Sequence, residues 1–92
     1  MKYFEFNKQE YWALVAAETL EKACEVYAEE VAYYSIEEVK EVGEPKEMHP
    51  IDAALMYERA VLKEGDDRKL SEIAKEFISL KNTTVLITSE LA

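Results

Sequence analysis

Apolar and polar positions change period several times along this chain. Residues 2–6 alternate, with Phe4 and Phe6 on one side and Tyr3 and Glu5 on the other. That period of two predicts a half-buried strand. Residues 11–16 are continuously apolar, which fits either a buried strand or part of a long helix. Phase decides for the strand. From Leu20 a helical stripe runs through Cys24, Tyr27, Val31 and Tyr34, with Ala23 beside it. Carried backward, that helix would put Tyr11, Leu14 and Val15 on its opposite face and would need two separate cores. A break near Glu18 and Thr19 removes the conflict, with Thr19 as cap and Glu21 in the first turn, where the helix dipole favours an anion.

Residues 35–48 admit two readings. Ser35 with Glu38 three residues on forms a capping box, and Gly43 can close a short helix. Alternatively residues 39–48 form an exposed strand distorted by Gly43 and Pro45. The strand is the favoured expectation, because it leads directly into the next helix. That helix starts at Pro50, which suits a first turn. Ile51, Leu55 and Leu62, with Ala54 and Val61, form its expected inward face. Gly65 ends it, and Asp66 or Asp67 starts another, with Leu70, Ile73, Ala74, Phe77 and Leu80 inward. Residues 83–88 read as a last strand by composition and length.

The expected fold is α+β: a small, mainly antiparallel sheet of three to four strands with about three helices packed on one face. At 92 residues the chain is expected to form a single globular domain. Apolar residues make up 49% of the chain, enough to support a core despite 34% charged residues. Cys24 is the sole cysteine, so an internal disulfide is impossible and a reduced, cytoplasmic setting is expected. The longest wholly apolar run is seven residues, 11–17, far short of a membrane span.

Charge adds the main functional clue. Residues 18–47 carry ten glutamates against three lysines, a sum of −7 out of the chain's −9. Net acidity argues against direct contact with nucleic acid or an anionic membrane and points to a basic protein surface. Glu21, Glu25 and Glu29 follow at four-residue intervals on the first helix, a mutually repulsive row costing about 0.2–0.5 kcal/mol per like pair. Glu30, Glu37, Glu38, Glu41, Glu44 and Glu47 continue the acid beyond the row. One reading is a solvated face. The other is an anionic surface that competes for the basic groove of a nucleic-acid-binding enzyme, with Val26 and Tyr33 as apolar contacts inside it.

Nothing in the sequence singles out catalysis. His49, the sole histidine, precedes Pro50 at a turn and has no evident nucleophile partner. Cys24 falls on an apolar stripe, away from basic groups. The Gly65-Asp66-Asp67 segment lacks the alternating ligands of a calcium loop. Asp52 and Glu58 are off-phase for a shared helical site. No enzyme activity, cofactor or metal is therefore expected. Lys63, Arg68 and Lys69 make a small basic spot that suits solubility or the acid of a second copy.

The start Met1-Lys2-Tyr3-Phe4-Glu5-Phe6, the run from Tyr11 to Glu18 leading into an Ala- and Glu-rich helix, and the end Thr84-Val85-Leu86-Ile87 resemble small acidic phage and prophage proteins. That group includes anti-CRISPR and anti-restriction inhibitors. The resemblance lies in size, charge and texture and transfers no residue role. It implies a protein-binding inhibitor, in one form a nucleic-acid mimic, acting in the host cytoplasm. The alternative expectation is a structural module that forms homo-oligomers through its sheet edge or aromatics.

Overall fold

The computed structural model describes residues 1–32, 35–65 and 67–87. Four strands and four α-helices follow in the order β1 (Lys2–Phe6), β2 (Ala13–Ala17), α1 (Leu20–Tyr27), α2 (Ile36–Val42), β3 (Lys46–Met48), α3 (Pro50–Lys63), α4 (Leu70–Ser79) and β4 (Thr83–Ile87). The strands form one antiparallel sheet in the order β3-β1-β2-β4. The class is α+β, with one more helix than expected.

Both faces of the sheet are covered, not one. β2 explains why. It is the continuous apolar run, and all five of its residues are buried. Ala13, Val15 and Ala17 face a core shared with α1 and α2, while Leu14 and Ala16 face a second core shared with α3 and α4. β1 does the same with larger side chains. Phe6 stacks on Tyr27 of α1, ring centroids 4.3 Å apart. On the opposite face Tyr3 stacks on Phe77 of α4 at 4.8 Å. The small side chains of β2 leave room for these rings, as close packing requires. At Leu14/Val15 the pairing with β4 shifts register, so that consecutive residues Val85 and Leu86 are both buried.

The helix boundaries follow local chemistry. Thr19 caps α1, its hydroxyl accepting from the Lys22 N–H at 3.1 Å. α1 then widens into a π-helical turn over Ala28–Ala32. Hydrogen bonds there skip one residue further, so the phase set by Leu20–Tyr27 does not continue. α1 touches β2, β4 and α2, and its buried arc is correspondingly wide. That overturns one expectation. Val26, expected as an exposed partner contact, is only 4% exposed and belongs to the core beneath α1.

Residues 35–48 combine the two readings. The capping box forms: the Ser35 hydroxyl accepts from the Glu38 N–H at 3.2 Å and donates to the Glu38 carboxylate at 3.1 Å. α2 thus occupies Ile36–Val42, and the favoured strand shrinks to the three residues of β3. Gly43 separates them with φ of +147°, a conformation that disfavours any side chain. Gln9 fixes this join from the β1–β2 connection, its amide donating to Gly43 O at 2.7 Å and Val39 O at 3.2 Å. His49 caps α3, Nδ1 accepting from the Ile51 N–H at 3.1 Å, so its position before Pro50 has a structural explanation. α4 starts at Leu70, later than expected; Asp66 lies outside the described residues.

Candidate functional site

The sheet separates two surfaces of different chemistry. On the first, α2 packs beside α1, and most of the acidic residues expected to bind a partner are exposed there. Their surroundings are uneven. Glu21 pairs with Lys40 of α2 at 2.5 Å, and Glu25 with Lys22 at 3.4 Å. The contact with the Glu21 carboxylate raises the Lys40 pKa above its ordinary value. Two members of the expected row are therefore locally neutralised, and the π turn removes Glu29 from register with them. Glu38 is engaged by the capping box. Glu29, Glu37, Glu41, Glu44 and Glu47 are exposed, and no ion pair holds them among the described residues. Tyr33 lies outside the described residues. Val26 contributes nothing to this surface.

The second surface departs more sharply from expectation. The inward residues of α3 are Ala53, Tyr57 and Ala60. Ile51, Leu55 and Leu62, the stripe expected to be inward, are all exposed, Ile51 to 64%. On α4, Ile73 and Phe77 turn inward as expected, but Leu70 and Ile78 are exposed, Ile78 to 66%. The reason is that α3 carries two apolar arcs. Small Ala53 and Ala60 let the helix approach the sheet closely around Tyr57, which leaves the arc of branched residues outside. Too many apolar positions for a single inward face is the sequence signal that points here.

Between α3 and α4 opens an apolar cleft of about 290 Å³. Tyr3, Tyr57, Ile73 and Phe77 line it together with Ile51 and Ile78. Glu58 lines it too, with no ion pair among the described residues. Beside it Glu76 accepts hydrogen bonds from both Tyr57 and Arg68. Those two bonds hold the Glu76 carboxyl below the usual carboxylate range, Arg68 contributing most. Arg68 is thus tied within α4 and its preceding loop, and the expected basic spot loses one of its three members. The cluster holds Tyr57, whose ring centroid lies 5.6 Å from that of Phe77.

Cys24 is buried in the first core, and burial pushes its thiol pKa up, which favours an inert role. Among the described residues no group of three His, Cys, Asp or Glu side chains is arranged to hold a metal ion. None of the described helices is long and apolar enough to cross a membrane.

No curated protein and no solved structure matches the chain. A family model does: that of the YosH C-terminal domain aligns with residues 1–87, nearly the full length. The protein therefore belongs to the YosH C-terminal domain family.

Proposed function

We propose that this chain is a non-enzymatic protein-binding domain whose contact surface is the apolar side of α3 and α4. One observation carries the reading. Five large aliphatic side chains, Ile51, Leu55, Leu62, Leu70 and Ile78, stand exposed on two adjacent helices, and two of them, Ile51 and Ile78, line the apolar cleft between those helices. Exposed apolar side chains beside an apolar cleft mark interaction sites, because leaving them in water forgoes about 25 cal/mol per Å². Aromatic floor residues and a polar surround match the anatomy of protein interfaces. The test is photo-crosslinking in the source cell with a reactive side chain at position 78 and, separately, at position 37. Crosslinked protein from position 78 alone is the expected result. Crosslinks from position 37 alone would overturn the assignment.

A second reading keeps the acidic side as an inhibitory surface for a basic groove, in the cytoplasm. Its supporting observation is that α2 lies beside α1, so Glu37 and Glu41 join Glu29 on the same side of the sheet. Long-range attraction would accelerate encounter with a nucleic-acid-binding protein and weaken with salt. Since Glu21 and Glu25 each have a lysine partner, the informative variant is Glu37→Lys with Glu41→Lys. Under this reading it abolishes capture of the basic partner while circular dichroism stays unchanged.

A further inference from the structure

We infer that the occupant of the α3–α4 face is a second copy of this chain, paired about a twofold axis; this rests on the protein-binding reading above and names its partner. A contact of one surface with the same surface on a second copy has three routes among the described residues, and two are disfavoured. The α1–α2 side belongs to the segment whose charges sum to −7, ten glutamates against three lysines, so copies meeting there bring like charge together. The sheet edges are blunted. At the start of β4 the outer Thr84 N–H is taken by Glu30 at 3.0 Å. At the other edge β3 has only three residues, and Lys46 and Glu47 are charged and exposed. Short, charged or covered edges resist further strand pairing.

The α3–α4 face is open and electrically balanced. Residues 49–81 hold seven acids and six cations, so two copies meet here with almost no net repulsion. Their acidic sides point away from each other across the sheet. The same balance gives a strongly basic or strongly acidic foreign partner little electrostatic hold on this face. An isologous contact uses each apolar residue twice. Ile51 and Ile78 flank the cleft of one copy and stand proud enough to enter that of the other. α3 spans about 21 Å, and two helices side by side are about 20 Å wide. A face of roughly 400 Å² per copy, about 800 Å² for the pair, lies below the usual size of stable specific interfaces, so the pair is a weak and reversible one.

Sedimentation equilibrium of the full chain across the micromolar range tests this, comparing wild type with Ile51→Glu, Ile78→Glu and Glu37→Lys. Both isoleucines are mostly exposed, so circular dichroism should be native in every variant. The expected result is a wild-type monomer–dimer equilibrium that both isoleucine variants weaken about tenfold or more, since each places a charge in an apolar contact. Glu37→Lys should leave it unweakened, and added salt should not dissociate it. A wild type that stays monomeric overturns the inference. If that monomer still crosslinks a foreign protein from position 78, the second-copy assignment falls while the protein-binding reading stands. A dimer indifferent to both isoleucine variants overturns the use of this face altogether.

Discussion

Glu30, on the π turn after α1, holds Thr84 of the edge strand with a single carboxylate oxygen. That oxygen accepts from the Thr84 N–H at 3.0 Å and from its hydroxyl at 2.8 Å. The Thr83 hydroxyl approaches the same atom at 3.3 Å. One acid of the glutamate-rich segment is therefore a structural clasp between the first helical layer and β4. Glu30→Ala should destabilise the fold by about 1 kcal/mol and raise amide exchange at Thr84 selectively. Hydrogen exchange read residue by residue checks it. Unchanged protection at Thr84 would remove the clasp from the account.

A side chain at Gly43 is disfavoured for two separable reasons, backbone strain first and a contact that the flexible Lys8 can yield second. Its φ is +147°, and a Cβ there would lie 2.7 Å from Lys8 Cδ. Gly43→Ala should cost about 1–3 kcal/mol in urea unfolding. Shortening Lys8 by Lys8→Ala in the Gly43→Ala background should recover only the steric part. Full recovery would mean that the backbone conformation carries no strain.

The pH dependence of stability should contain a contribution from Glu76. Arg68 and Tyr57 bond to the ionised carboxylate, so its folded pKa lies below the unfolded value. A depressed carboxylate pKa stabilises the fold above the unfolded value, about 4.3, and that stabilisation is lost as pH falls toward the folded value. Glu76→Gln should therefore melt lower than wild type near neutrality, and the two Tm values should converge in acid. A gap that persists at acid pH would assign the effect to geometry rather than charge.

Two valine- and isoleucine-sized residues should behave oppositely although both are apolar and helical. Val26→Ala should cost about 1–3 kcal/mol, because the side chain is buried in the first core. Ile51→Ala should change monomer stability by less than about 0.5 kcal/mol, because the residue is mostly in water. Denaturant midpoints at high dilution, where association is negligible, make the comparison. A large loss from Ile51→Ala would place that residue in the monomer's own core.

Much of the secondary structure was legible because its signals are local. Alternation in residues 2–6, the Thr19 cap, the Ser35–Glu38 box and Pro50 each act within a few residues, and each appears where the pattern put it. The break near Glu18 was legible for a related reason: no single helix could carry Val15 and Cys24, half a turn apart in phase, on one face. The α2–β3 segment was misjudged because a helix and a strand share it, and the Gln9 amide that closes the helix comes from thirty or more residues away.

The sequence by itself determined the class, the placement of charge and the presence of apolar arcs on each helix. Periodicity within an element encodes these, and no partner is needed to read them. Only the tertiary structure decided which arc faces inward. On α1 the neighbouring β2, β4 and α2 widened the buried arc until it took in Val26. On α3 close packing around Tyr57 chose Ala53 and Ala60 for the sheet and left Ile51, Leu55 and Leu62 outside. Hydrophobicity says that a face prefers cover; only packing between elements says which face receives it.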